Sequence, residues 1–589
     1  MKRFFAGLLA LLLLIPAVCF SGFSEEAGAA TATGGGRLPA RYGTITADGT
    51  AEAAMAYDTP ILKDHSGFIT LGATWNETTL ALGFISEQVE LNSASKDFGK
   101  LKSRTNRAID SVTVTLANGS YAYTANGGLV CTDGAALAAG TVSGANADGY
   151  LVELLLPIAA IRAYRNESGE ICTAIAITVK TGDVTEQFNG YVVFSAEKVT
   201  HSSTLAGASD SAIGTTAMHQ HAVTAKVNEK GLNNQVRNYK TPSQVHELYF
   251  YGNAKKLMDE GTPGSLTFDF RFGFAFGNAA TVPVSTPKQT EKGVTDYNLN
   301  AGFSTTENGM RALIFIGFGL QNIGGWRQWS TSQFVFAVHN TADGLKIYFD
   351  DGNSPYGGDG ITLNRKAGDN LNLTFAWMPN GDHYDFTVYV DGERAGVISA
   401  PKGNAYPLPC GRGCGVAFGS VVDKNTDVDA ADESKLGVFT YRNPVICEYV
   451  AGNEAKAEKL LKDYGILQGN RFQKSAVGAD GTYAIRFLTT IEDSLCDAYA
   501  EVGFEVVAVR ADGTESKPIE RRTNKVYSTI MADNETVSAP NGTYWVAVAV
   551  NGIPAEAVVT FVIRPFAVTA SGEKHYGATG QITLPYTSN

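Results

Sequence analysis

A chain of 589 residues exceeds one domain; at roughly 100–200 residues apiece it divides into about three or four. Its formal charge of -12, from 47 Lys and Arg against 59 Asp and Glu, argues against nucleic acid or anionic membrane as a partner, since both select basic patches. Low charge (18 %) with 64 Gly, 25 Tyr and 30 Phe suits β-sandwiches, and seven cysteines are too few and scattered for a disulfide scaffold.

The chain opens with Lys2 and Arg3, an apolar run over residues 4–15, and Pro16. Ala27-Gly28-Ala29 then offers a small-x-small cleavage site before Ala30, so residues 1–29 read as a secretory signal peptide. The apolar run is short of the about 20 residues a membrane span needs, although an uncleaved anchor is the alternative. Cys19 follows Pro16-Ala17-Val18, a poor approach for a lipoprotein signal. The expectation is a secreted, extracellular protein, off the membrane after cleavage unless a cell-surface partner holds it.

Residues 40–200 read as short alternating strands. Residues 68–75 and 80–85 flank the polar Asn76-Glu77-Thr78-Thr79, a hairpin signal, and residues 111–116 lead through Ala117-Asn118-Gly119-Ser120 into Tyr121-Ala122-Tyr123. Asn118-Gly119 is expected to supply the positive φ angles of that turn. The order of Ile45-Thr46-Ala47-Asp48-Gly49, the Trp75 hairpin and Gly149-Tyr150-Leu151-Val152-Glu153 before Leu156-Pro157-Ile158 resembles family 9 carbohydrate-binding modules and their DOMON-like relatives. That resemblance implies a β-sandwich of about 160 residues and a carbohydrate-binding role. Trp75, on an alternating strand, is read as core and not as a sugar contact. No Met/His pair supports haem, which relatives of this fold also bind.

Residues 205–450 carry further strands at residues 265–272, 371–377, 385–390 and 395–398, with Asn380-Gly381-Asp382 and Asp391-Gly392-Glu393-Arg394 as turns. Three consecutive antiparallel strands with Tyr389-Val390-Asp391-Gly392 resemble the concanavalin A-like jelly rolls that include laminin G-like domains. That fold hosts lectins, adhesion modules and glycosidases alike. Family 16 glycoside hydrolases aim three carboxylates into the cleft from one strand as Glu-x-Asp-x-x-Glu; no such run occurs, and Asp269 with Arg271 reads as a solvated face. The expectation is a protein that is not an enzyme.

Three clusters remain. Trp326, Arg327 and Trp329, in Trp326-Arg327-Gln328-Trp329 after Gly324-Gly325, suit stacking on sugar rings and bonding to their hydroxyls, or plugging the sandwich edge. Asp423, Asn425, Asp427 and Asp429 alternate as in calcium loops, but Val428 and the missing twelfth-position glutamate depart from the EF-hand pattern, so a solvated acidic loop competes with calcium. His219 and His221 share a strand face without a third ligand and read as surface. Cys410 and Cys414 suit either a local disulfide or free thiols.

Residues 451–468 read as a helical connector, with Ala455, Ala457, Leu460, Leu461 and Tyr464 on one face docking on the next sandwich. Residues 469–589 read as a C-terminal β-sandwich. Tyr483 with Arg486-Phe487, residues 501–505, and Tyr527-Ser528-Thr529-Ile530 resemble a β domain recurring in exported proteins of anaerobic gut Firmicutes. Leu584-Pro585-Tyr586-Thr587 mimics the start of a sortase signal, but reads as the end of a last strand.

The fold class expected is therefore all-β: tandem β-sandwiches or jelly rolls with one short connecting helix. The function expected is non-catalytic binding of extracellular polysaccharide or glycan, with no cofactor beyond calcium. A structural or adhesive surface protein with protein partners is the first alternative. A glycosidase or lyase with a site lacking any local motif is the second.

Overall fold

A computed structural model describes residues 30–62, 67–91, 101–202, 222–225, 245–253, 260–274, 310–319, 321–323, 327–329, 332–341, 343–349, 360–402, 413–422, 437–532 and 535–584. Among them the chain is all-β, in three packed units; the helices are Ala451–Asp463 and the single turn Asp493–Cys496. None is long and apolar enough to cross a membrane.

In the first unit Ala30–Tyr42 pairs in parallel with Val184–Phe194 along most of its length, and then, over its last three residues, with Ala73, Thr74 and Trp75. It thus joins two layers. One layer runs through Ile69–Trp75, Thr79–Leu91, Leu151–Pro157 and Val142–Ala145. The other runs through Val184–Phe194, Ile171–Thr181, Ser111–Leu116, Gly119–Thr124 and Gly128–Cys131. Alternation turns Leu71, Leu82 and Leu154 of one layer toward Val114, Ile177 and Phe188 of the other, making one core. Trp75 is fully buried in it, edge-on to Tyr42 and Phe194, with Nε1 donating to the Ser195 carbonyl at 2.9 Å. The core reading of Trp75 holds.

Two turns differ from expectation. Leu116 pairs with Gly119, so the connection is Ala117-Asn118, and neither Asn118 nor Gly119 has a positive φ. Gly119 is instead a strand residue lying against the Tyr121 ring, where a Cβ would come within 2.8 Å of the hydroxyl. The turn expected over Asp391-Gly392-Glu393-Arg394 is shorter: Asp391 (φ 51°) and Gly392 (φ 78°) form a two-residue turn with the mirror-image backbone hairpins favour, and Glu393 and Arg394 already belong to the next strand.

The second unit stacks two antiparallel sheets. One orders Glu197–Ser202, Gly437–Tyr449, Gly264–Phe274, Asn370–Asn380, His383–Val390 and Glu393–Pro401, with Ala222–Ala225 also on Gly437–Tyr449. The other orders Val245–Asn253, Gly413–Val422, Met310–Phe318, Ser332–Thr341, Gly344–Phe349 and Ile361–Thr362. Between them lies a phenylalanine-rich core in which Phe268, Phe336, Phe375, Phe386 and Phe418 are fully buried. Asp269 and Arg271 are only half-exposed, not a freely solvated face: Asp269 accepts from Asn372 at 3.1 Å, and Arg271 donates to the Gly368 carbonyl at 3.0 Å.

The third unit pairs Leu467–Lys474, Thr482–Glu492 and Thr543–Pro554 in one sheet. The other sheet contains Ile519–Thr523, Tyr499–Arg510 and Val559–Thr569, the last flanked by Lys574–Tyr576 and Gly580–Leu584. The helix Ala451–Asp463 buries Ala457, Leu460 and Leu461 in the core of the first unit, not in the unit that follows it; Ala455 is exposed. The same apolar stripe thus docks backward along the chain.

Candidate functional site

Arg327 and Trp329 lie on the strand Arg327–Trp329, which pairs antiparallel with Gln321–Ile323 through Gln321–Trp329, Asn322–Gln328 and Ile323–Arg327. This two-stranded ladder is separate from both sheets of the second unit and stands between Met310–Phe318 and Ser332–Thr341, whose paired ends are Phe318 and Ser332. Trp326 lies outside the described residues. So do Asp423, Asn425, Asp427 and Asp429, His219 and His221, Cys410, and residues 1–29 and 585–589; Cys414 is on the strand Gly413–Val422. Among the described residues no group of three or more His, Cys, Asp or Glu could hold a metal ion.

The structure adds a polar junction between the first two units, centred on residues 53–60. Gly72 and Gly83 face each other across their ladder. A Cβ at Gly83 would lie 2.1 Å from Met55 Sδ and 2.5 Å from the Tyr57 ring, so these glycines open the slot in which Met55 and Tyr57 sit. Tyr57 donates to Glu153 Oε1 at 2.9 Å, and the Gly49 amide donates to Glu153 Oε2 at 3.1 Å. Burial pushes the Glu153 carboxyl up to about 7 despite those two bonds. Ala56 (φ 68°) and Tyr57 (φ 39°) are both left-handed, a strained pair that turns consecutive side chains to opposite sides. Ala56 packs on Val445 and Cys447 of the second unit.

Asp58 completes the junction. Arg41 grips it with two bonds, Nη1 to Oδ1 at 2.9 Å and Nη2 to Oδ2 at 2.6 Å, and both side chains are almost wholly buried. Burial opposes the Arg41 charge, but Asp58 overcomes it and the guanidinium pKa rises. The Asp58 carbonyl accepts from Asn372 Nδ2 at 2.9 Å, tying the segment to the second unit.

Beside this pair a cleft of about 260 Å³ opens between the two units and the helix. Three arginines and four glutamates line it. Arg37 pairs with Glu170 at 2.8 Å and lies 4.9 Å from the centre of the Tyr389 ring. Arg165 pairs with Glu458 of the helix. Ser265 donates to Glu197 at 2.9 Å, and the Thr267 and Thr374 hydroxyls bond each other at 2.9 Å. Sequence reading missed this site because its residues come from separate strands and a helix and form no local motif.

The first and third units meet differently. Tyr164 stacks on His575 at 3.7 Å between centroids, and the Tyr499 hydroxyl bonds His575 Nδ1 at 3.0 Å. Arg162 pairs with Glu492 at 2.7 Å, and Arg165 of the first unit bridges to Tyr576 of the third. Tyr164, Cys172 and Val193 enter the core of the third unit. Burial pushes the His575 imidazole down to about 4.

No family model matches the chain, and no curated protein matches it. Among solved structures it is similar to the winged bean acidic lectin complexed with methyl-alpha-D-galactose, at 10% identity and a TM-score of 0.21 over 39% of this chain and 86% of that one. It is also similar to the carbohydrate-binding module CBM66 from Bacillus subtilis, at 12% identity and a TM-score of 0.15 over 31% and 74%. A third, the alginate lyase from Klebsiella pneumoniae, matches at 10% identity and a TM-score of 0.19 over 39% and 81%. Likeness this slight assigns neither ligand nor activity.

Proposed function

We infer that the chain is an exported, non-catalytic protein that binds extracellular polysaccharide or another glycan. The supporting observation is the ladder of Gln321–Ile323 with Arg327–Trp329, a two-stranded sheet not hydrogen-bonded to either core sheet, which carries tryptophan and arginine between the strands that end at Phe318 and begin at Ser332. Indole faces stack on sugar rings, and a guanidinium between them bonds hydroxyls. The fragments that resemble family 9 carbohydrate-binding modules and concanavalin A-like domains agree with this reading. The leader-like residues 1–29 agree with export. The acidic run of Asp423, Asn425, Asp427 and Asp429 is the calcium candidate.

The test is a glycan array probed with the processed chain, with and without calcium. Binding to at least one polysaccharide, weakened by Trp326→Ala and Trp329→Ala in a variant that still melts cooperatively, is the expected result. Absence of binding under both conditions would favour an adhesive or structural role with protein partners. Release of reducing ends from pooled plant polysaccharides would overturn the non-catalytic reading.

A further inference from the structure

Four residues stand in one transverse row across a layer of the first unit: Gly72 pairs with Gly83, Gly83 with Glu153, and Glu153 with Gly144. Alternation turns this row away from the core that holds Leu71, Leu82 and Leu154. Three glycines and one carboxylate make a trench, and residues 47–57 lie in it as a strap. A Cβ at Gly144 would come within 2.2 Å of the Ala47 carbonyl oxygen, and one at Gly72 within 2.8 Å of the Met55 carbonyl oxygen. The floor therefore offers the strap one side chain to bond. Glu153 is fully buried and accepts from the Tyr57 hydroxyl and the Gly49 amide. The charged groups that act on it are Glu52 and Asp48 of the strap, both negative, and the flanking strands meet it with Gly83 and Gly144, which have no side chain. Ionised, it would be a buried anion beside two others, and burial first, then these neighbours, push its carboxyl up to about 7. The strap's other side reaches the second unit, where Ala56 packs on Val445 and Cys447. The left-handed pair Ala56 and Tyr57 persists only while contacts on both sides hold it.

We propose that residues 47–57 form a proton-operated latch between the first two units: with Glu153 protonated the strap stays in its trench and holds Ala56 against the second unit, and ionisation of Glu153 lifts the strap and uncovers Val445 and Cys447. The Arg41–Asp58 pair and the bond from Asn372 to the Asp58 carbonyl lie just past the strap and remain as its hinge. The latch is independent of what the chain binds.

Cys447 is a built-in reporter, since it is fully buried and packs on Ala56. Its alkylation by iodoacetamide is followed by peptide mass spectrometry on the processed full-length chain between pH 5 and 8. Each rate is divided by that of the urea-unfolded chain at the same pH, which removes the thiol's own titration. With a closed value of about 7 against an ordinary 4.5 when open, the latch is fully favoured below about 4.5, weakens as pH rises to 7 and is level above it. The normalised rate should therefore rise about 50–100-fold from pH 5 to pH 8. Glu153→Gln, which keeps the shape but cannot ionise, should stay at the pH 5 rate throughout. Should that variant not fold, Asp48→Asn removes one acidic neighbour at an exposed position and should shrink the rise about twofold. A flat rate in the unaltered chain, an equal rise in Glu153→Gln, or an undiminished rise in Asp48→Asn would each overturn the latch. So would a rise matched by Cys172, which is buried in the core shared with the third unit and reports general unfolding.

Discussion

The first unit meets its two neighbours by opposite means. Toward the third it contributes Tyr164, Cys172 and Val193 to a common core, with a strand bridge and an imidazole stacked on Tyr164 and met edge-on by Tyr499. Toward the second it offers one alanine, a buried ion pair and a polar cleft. Continuous apolar burial makes the first junction part of a single folding unit. The second relies on directional bonds and leaves space, the pattern of interfaces between domains that retain relative freedom.

The largest effect should come from Arg41→Ala, which strands the buried Asp58 carboxylate at a cost of about 3–5 kcal/mol. The double variant Arg41→Met, Asp58→Leu should recover most of that stability in urea denaturation, because the pair's attraction roughly offsets its desolvation. A double variant as unstable as the single one would mean that the pair is needed for more than mutual neutralisation.

Tyr164→Ala should cost about 3 kcal/mol by opening a cavity against His575, and should lower the melting of the first and third units together. If calorimetry resolves two transitions and only one moves, the shared core is not cooperative.

Smaller and opposite in direction are the responses to pH. His575 has a folded value pushed down to about 4, so its contribution is present above about 6.5 and is lost as pH falls through 4, weakening the junction with the third unit in acid. Glu153 has a folded value pushed up to about 7, so its contribution is full below about 4.5 and is lost as pH rises through 7, loosening the Tyr57 segment that meets the second unit. Hydrogen exchange at residues 53–60 and 574–576 between pH 4 and 8 should show the two segments opening at opposite ends of that range. His575→Gln and Glu153→Gln should each flatten one response.

The β-sandwich character was legible because alternation reports which face of a strand is buried. Trp75 and the 265–272 strand followed from short-range pattern, as did the place of the turn at Asp391-Gly392, though not its two-residue length. The Ala117-Asn118 turn did not, since a one-residue difference in register moved Gly119 into the ladder. Nor did the docking of the helix Ala451–Asp463, because an apolar stripe states that a face is buried and not against what. The cleft was invisible for a stronger reason. Arg37, Glu197 and Tyr389 lie on separate strands and Glu170 just before Ile171–Thr181, and only the packing of two units brings Tyr389 beside the Arg37–Glu170 pair.

The central claim, that the chain binds glycan, is tested most directly by retention on immobilised polysaccharides, with the calcium-free arm run in parallel. Specific retention, competed by the matching free oligosaccharide and reduced by Trp326→Ala with Trp329→Ala, is the result expected. A folded chain that passes every polysaccharide unretained, with and without calcium, would contradict it.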